Sequence, residues 1–185
     1  MTPVRPPVRF TYADYATLPE TGPRYQLIGG ELIMSPAPSY RHQTILMRIA
    51  VALFNFVESQ RLGVVRVAPL DVILSDEDAL QPDAVYVSNA RRAIIVREGL
   101  RGAPDLTVEI LSKRTEGIDR VAKRSTYSRH GVTEYWIVDP EANTLELYRL
   151  QENPAAPMAT FKASDTLTTQ LLPGFSLPLA DVFAP

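Results

Sequence analysis

The sequence contains no cysteine and only two histidines, His42 and His130. The absence of cysteine excludes disulfides, thiolate metal sites and cysteine nucleophiles. With so few imidazoles, a metal site in this chain would have to use oxygen ligands. Oxygen ligands favour hard cations such as Mg²⁺ or Mn²⁺.

Long apolar runs are also lacking. No run approaches the roughly 18 apolar residues that a membrane span requires, and the start "MTPVRPPVRF" lacks an apolar signal segment. We therefore expect no membrane association and a cytoplasmic location by default. The length of 185 residues, with 45% hydrophobic and 22% charged residues, is typical of globular proteins and predicts a single domain over residues 1–185.

Hydrophobic spacing predicts a mixture of helices and strands. Apolar residues recur with helical spacing from Ser39 to about Arg61, and Gly29-Gly30 marks a turn between two short strands near the N-terminus. The prolines of "RPPV" predict an extended start, and "LSDEDALQP" is predicted as a loop. The fold class we expect is α/β (α+β), a mixed β-sheet flanked by helices with an N-terminal β-hairpin. Other predicted elements are a short helix capped by Thr11, strands at "VVRVAPLDVIL", "DAVYV", "DLTVEIL", "EYWIVD" and "TLELYRL", a helix ending at Gly131, and a C-terminal segment "PGFSLPLADVF" that docks on the body.

A carboxylate interrupts the apolar strand "DLTVEIL". Side chains alternate along a strand, so Leu106, Val108 and Ile110 share one face and Glu109 lies on the other. A lone buried carboxylate costs several kcal/mol or takes up a proton. Glu109 therefore requires a cation, which can be either a basic side chain or a metal ion.

The best companion acid is Asp83, which opens the strand "DAVYV" directly after Pro82. Asp105 also follows a proline, but four residues at roughly 3.3 Å place it about 13 Å from Glu109 on the same strand. A hard metal requires its oxygens at roughly 2.0–2.6 Å, so Asp105 and Glu109 cannot share one ion. Glu31, after Gly30, is a further candidate. From the residues alone, surface or salt-bridge roles for these acids stay open.

Five stretches resemble a known family. They are "YQLIGGELIMSPAPSYRHQ", "LQPDAVYV", "GAPDLTVEILS", "DRVAKRSTYSRHGVTEYWIVDP" and "LELYRL", which span about residues 25–150. Their order and content are similar to the Uma-type family of restriction-endonuclease-like proteins, first catalogued as a domain of unknown function, within the PD-(D/E)xK nuclease superfamily. The resemblance implies a restriction-endonuclease-like core and a metal-dependent DNA endonuclease that uses Mg²⁺ or Mn²⁺.

By that resemblance Asp83 and Glu109 bind the metal, and a lysine assists the attacking water by orienting or deprotonating it. The lysine that the superfamily places two residues after the acid is replaced by Leu111, and the Uma-type pattern places it on the following helix at Lys123. Lys113 is a rival that ranks lower. Glu31 matches the family's glycine-glutamate signature and is expected to complete the acid cluster as a catalytic residue.

The helical spacing is compatible with that role for Lys123. Asp119, Lys123 and Tyr127 share one helix face, and Val121 is among the residues expected to face the sheet. Two positions depart from the family pattern, because Gln26 and Gly29 stand where an acid is more common.

Basic residues concentrate between Lys113 and Arg129, where six bases face two acids in a chain of net charge −2. We predict DNA contacts at Lys113, Arg120 and Arg124, and the family match adds His42 as a phosphate-binding or site-ordering residue. A homodimer is expected, because cutting two strands benefits from two sites. The alternative function is an inactive nuclease-fold protein that binds nucleic acid or a protein partner.

Overall fold

The computed structural model describes residues 8–19 and 21–185, so most of the extended start predicted at "RPPV" lies outside the described residues. Two six-stranded sheets form the body, with strand orders β2-β1-β5-β4-β8-β7 and β12-β11-β10-β9-β6-β3, and β13-β14 form a small third sheet. The strands are β1 (Arg24–Ile28), β2 (Glu31–Ser35), β3 (Gly63–Val67), β4 (Asp71–Ser75), β5 (Asp78–Leu80), β6 (Ala84–Ser88), β7 (Ile95–Val96), β8 (Gly99–Arg101), β9 (Leu106–Ile110), β10 (Glu134–Asp139), β11 (Thr144–Arg149), β12 (Ala159–Lys162), β13 (Thr166–Thr168) and β14 (Ser176–Pro178).

Helices cover these sheets. The helical elements are α1 (Tyr12–Tyr15), α2 (Tyr40–Ser59), a 3₁₀ turn (Asn89–Ile94), a π-helical turn (Ile118–Lys123) that continues into α3 (Arg124–Arg129), and α4 (Leu179–Phe183). None of the helices in the described part of the chain is long and apolar enough to span a bilayer. The expected α/β class with an N-terminal hairpin is confirmed, although two mixed sheets replace the single sheet that we predicted.

Helix α2 packs over one face of the second sheet. Its buried residues Ile45, Ile49 and Leu53 meet Leu106 and Val108 of β9 in the largest apolar cluster of the described chain. The side chain of Ser39 accepts a hydrogen bond from the backbone N–H of His42 and caps this helix, so the start of α2 has a fixed position. The predicted helix from Ser39 to about Arg61 is confirmed.

The opposite face of the second sheet packs against α3 and part of the first sheet. Tyr127, Tyr135 and Tyr148 form the aromatic centre of this layer, together with Leu111 and Leu80. Strand β9 is therefore covered on both sides, and all five of its residues are buried. This double burial explains why a carboxylate at Glu109 must find partners.

The predicted loop "LSDEDALQP" contains a strand. β5 lies between β1 and β4 in the first sheet, where Asp78 accepts hydrogen bonds from Gly29 N and Ser75 Oγ. The polar residues of this segment suggested a loop, but these side-chain contacts hold it in the sheet. The C-terminal segment docks as predicted, with Phe175, Leu179 and Val182 buried against α2.

Candidate active site

A polar cavity of about 130 Å³ lies between the start of α2, the β1–β2 hairpin and the end of β9. Three acids and two bases that are distant in sequence contribute to its wall, namely Asp83, Glu109, Asp119, His42 and Lys123. The structure thus brings together the two predicted metal ligands, the predicted lysine and the predicted histidine. Asp83 and Glu109 lie on the same side of the second sheet, as a shared ion would require.

Strand pairing places Asp83 beside Glu109. Strands β6 and β9 are antiparallel with Ala84 opposite Val108, so the next position in this register sets Asp83 opposite Glu109. Directly opposed residues have Cβ atoms about 4.5–5.5 Å apart. Oδ2 of Asp83 accepts a hydrogen bond from Ile110 N (2.7 Å) and lies 3.2 Å from Nε2 of His42. These two contacts fix the carboxylate at the cavity wall.

Glu109 is held on both of its oxygens. Nζ of Lys123 donates to Oε2 at 2.8 Å, and the hydroxyl of Tyr127 donates to Oε1 at 2.8 Å. Only 4% of the Glu109 side chain is exposed. Burial raises the pKa of Glu109 to about 8, with the charge of Lys123 opposing this rise and the charges of Asp119 and Asp83 adding to it.

Lys123 reaches the cavity from the π-helical turn. Burial by itself would lower the pKa of Lys123, but the adjacent Glu109 and Asp119 outweigh it and raise the pKa above its ordinary value. The lysine is therefore a fixed positive charge and not a base at neutral pH. π-Helical turns occur frequently at functional sites. Here the turn brings both Asp119 and Lys123 to the inner face.

The predicted helix face is confirmed, because Asp119, Lys123 and Tyr127 all point into the buried layer. The prediction that Val121 faces the sheet was wrong, since Val121 is 64% exposed. Polar contacts to Glu109 determine which side of this helix turns inward. An apolar residue on the opposite side is then left in solvent.

The donor set fits a hydrated magnesium or manganese ion. Mg²⁺ usually keeps several waters and binds through one or two carboxylates, which Asp83 and Glu109 can provide. Over residues 8–19 and 21–185 there is no group of three or more His, Asp or Glu side chains arranged to hold a metal on their own. A cation held by Asp83 and Glu109 would therefore need water or phosphate oxygens to complete its coordination.

Glu31 lies outside the cavity, contrary to the expectation that it completes the acid cluster. It is an exposed residue at the start of β2, paired with Ile28. The end of β2 that lines the cavity is Ser35, four residues away, or about 13 Å at strand spacing. On β1 the cavity is lined by Arg24 and Gln26, and Gln26 donates a hydrogen bond to Ser35 Oγ and accepts one from Gln81 N. Gln26 and Glu31 share one face of the hairpin, so the strand period does not separate them, and Gln26 lines the cavity because it lies nearer the open end of the hairpin.

Two predicted DNA contacts are engaged within the protein. The guanidinium of Arg120 lies 2.9 Å from Glu116, 2.8 Å from Glu146 and 3.7 Å from Asp139. The guanidinium of Arg124 lies over the ring of Tyr148, 5.1 Å from its centroid. Both guanidinium groups therefore have partners within the protein, and their DNA contacts stay a prediction.

Lys113 is different, because it is exposed and has no ion-pair partner in the described part of the chain. With Arg114 it lines a neighbouring groove of about 510 Å³ that shares His42 and Ser112 with the cavity. Strand β9 ends at Ile110, so Lys113 does not continue along the face of Glu109. The cavity lysine is Lys123.

Asp119 is a cavity residue that sequence reasoning treated only as a helix neighbour of Lys123. Its side chain is 3% exposed, and its Oδ1 lies 2.9 Å from Nζ of Lys123. The available signal was its spacing of four residues before the lysine on the same face. That spacing did not indicate how deeply the Asp119 side chain is buried, because its burial depends on packing against β9 and β10.

Known proteins support the nuclease fold. No curated protein matches the chain. A solved structure described as a "putative nuclease belonging to DUF820 from Anabaena variabilis" aligns with a TM-score of 0.77 over 95% of this chain and 98% of its own, at 23% identity, which establishes similarity of fold. A family model described as "Putative restriction endonuclease" matches residues 12–180. The chain belongs to this Uma2 family of restriction-endonuclease-like proteins.

Proposed function

We propose that the protein is a divalent-metal-dependent endonuclease that hydrolyses phosphodiester bonds of DNA. The observation that carries this proposal is the meeting of Asp83, Glu109 and Lys123 in one cavity from three separate elements. A structural salt bridge would account for Glu109 and Lys123 alone. It would not account for a second acid, Asp83, on the same wall of an accessible cavity.

Asp83 and Glu109 would hold the cation. When bound, a divalent cation at such a site supplies Lewis acidity and lowers the pKa of a coordinated water. In the reaction a water oxygen loses a proton to solvent and forms a bond to phosphorus, one P–O ester bond breaks, and the departing oxygen takes up a proton from solvent. The chain's own residues must therefore orient water and phosphate and balance the charge that develops.

Lys123 fits the charge-balancing role. Its ammonium donates one hydrogen bond to Glu109, lies 2.9 Å from Asp119, and retains N–H groups for a phosphate oxygen or for the attacking water. Because its pKa is raised, it donates hydrogen bonds and does not accept the proton of the water. This assignment narrows the predicted role of the lysine to orientation and electrostatic stabilisation.

His42 is placed to orient Asp83. Nε2 of His42 lies 3.2 Å from Oδ2 of Asp83, and its Nδ1 is buried without a hydrogen-bond partner in the described residues. Phosphate contacts from Lys113 and Arg114, in the adjoining groove, would position the DNA backbone without reading its sequence.

The test is nicking of supercoiled plasmid DNA with Mg²⁺ or Mn²⁺ by the wild type and by Asp83→Asn. Asp76→Asn is the matched control, because Asp76 is exposed and its side chain has no ion-pair partner in the described chain. We expect cleavage by the wild type and by the control, and loss in Asp83→Asn. Equal nicking by all three proteins would indicate a contaminant. Undiminished DNA binding without cleavage would support the binding-protein alternative.

A further inference from the structure

Lys123 contacts two buried carboxylates at once. Its Nζ lies 2.8 Å from Oε2 of Glu109 and 2.9 Å from Oδ1 of Asp119, and each of the three side chains is at most 5% exposed. One ammonium thus balances two acids in a region from which water is largely excluded. Removing any one of the three charges therefore changes the net charge of this buried group of side chains.

The two contacts are not equivalent. Lys123 donates an aligned hydrogen bond to Glu109, whereas Oδ1 of Asp119 is within ion-pair distance but has no hydrogen-bond partner in the described residues. Asp119 therefore has unused acceptor capacity on the second side of the ammonium. A small displacement of the lysine away from Glu109 would make that bond.

A cation held by Asp83 and Glu109 would compete with Lys123 for the charge of Glu109. Two positive centres close to one buried carboxylate repel each other strongly at low dielectric. A lysine displaced from Glu109 without a second carboxylate would be an uncompensated buried charge, which is strongly unfavourable. Asp119 is the one other carboxylate in ion-pair contact with Lys123 within the described chain.

We propose that Asp119 is a positioning residue that retains Lys123 in the cavity when a divalent cation engages Glu109. This inference rests on the proposed function and extends it, because it assigns a role to a residue outside the expected metal pair. Asp119 acts through Lys123 and lowers the cost of the exchange between ammonium and metal at Glu109. It also keeps the ammonium beside the reacting phosphate.

The experiment is a double-mutant cycle on Mn²⁺ affinity, measured by calorimetry without DNA. The proteins are the wild type, Asp119→Asn, Lys123→Gln and the double variant, with Asp76→Asn as the control that should match the wild type. We expect Asp119→Asn to weaken Mn²⁺ binding about tenfold when Lys123 is present, and clearly less, about threefold or under, in the Lys123→Gln background.

Equal weakening in both backgrounds would overturn the inference, because Asp119 would then act through its own charge or as a direct ligand. Absence of Mn²⁺ binding in all of the proteins would instead overturn the metal site, and with it the proposed function. Thermal unfolding verifies that each variant folds, and Lys123→Met replaces Lys123→Gln in the cycle if the latter does not. A second readout is plasmid nicking, in which Asp119→Asn should lower kcat and leave the KM for DNA unchanged.

Discussion

Replacing Lys123 with Met should destabilise the protein in a way that depends on pH. The substitution leaves Glu109 and Asp119 buried without their shared ammonium. Removing one partner of a buried ion pair costs roughly 3–5 kcal/mol. Proton uptake by the stranded Glu109 offsets part of this cost, so we expect about 3 kcal/mol at pH 7.

The sign of the pH dependence follows from Glu109. Burial raises its pKa to about 8 from an ordinary value of 4.5, so the folded state binds more protons than the unfolded state between these values. This contribution to stability is present at low pH and is lost as the pH rises through 8. Without Lys123, which opposes the rise, the pKa of Glu109 should be higher still. The loss of stability in Lys123→Met then continues above pH 8, so the gap between variant and wild type should stay nearly constant from pH 6 to pH 7 and widen from pH 8 to pH 9.

The assay is urea unfolding followed by circular dichroism at pH 6, 7, 8 and 9. Lys113→Met is the matched control, because Lys113 is exposed and unpaired within the described chain. Its free energy of unfolding should stay within about 0.5 kcal/mol of the wild type. Equal loss of stability in the two lysine variants, or the same loss in Lys123→Met at every pH, would show that Lys123 does not neutralise Glu109.

Two further predictions concern residues outside the cavity. Glu31→Gln should retain plasmid nicking at close to the wild-type rate, because Glu31 is exposed and stands about 13 Å along β2 from the cavity wall; a loss as large as that of Asp83→Asn would restore Glu31 to the catalytic group. The double substitution Lys113→Gln with Arg114→Gln should weaken DNA binding and reduce the slope of log affinity against log salt by about 2, as two lost phosphate contacts require. Gel-shift titrations at several salt concentrations measure this slope, and an unchanged slope would exclude the groove as the backbone contact.

The central carboxylates could be predicted because strand periodicity and burial act locally. Glu109 in an apolar strand, and Asp83 at the head of another, follow from the two-residue alternation of side chains. The reach of Lys123 followed from helical spacing combined with the family resemblance. Each of these inferences depended on short-range geometry, and the structure places all three side chains around one cavity.

The parts that sequence reasoning missed depend on tertiary packing. Glu31 has a family match, but the direction of the hairpin sets it at the far end of β2 from Ser35. Arg120 has the charge of a DNA contact, but β10 and β11 bring acids within reach of it. Aspartate is usually a surface residue, and the burial of Asp119 is evident only from the packing of its helix. Charge and spacing in the sequence indicate which chemistry a side chain can perform. Its contacts with residues of other elements determine whether it does so.

The most direct test that Asp83 and Glu109 share a cation is a structure from crystals grown with Mn²⁺, in which anomalous scattering locates the ion. We expect a peak about 2.0–2.6 Å from carboxylate oxygens of both Asp83 and Glu109, with Lys123 still in contact with Asp119. A peak that contacts only one of the two acids, or that lies elsewhere while Lys123 stays on Glu109, would contradict a cation shared by Asp83 and Glu109.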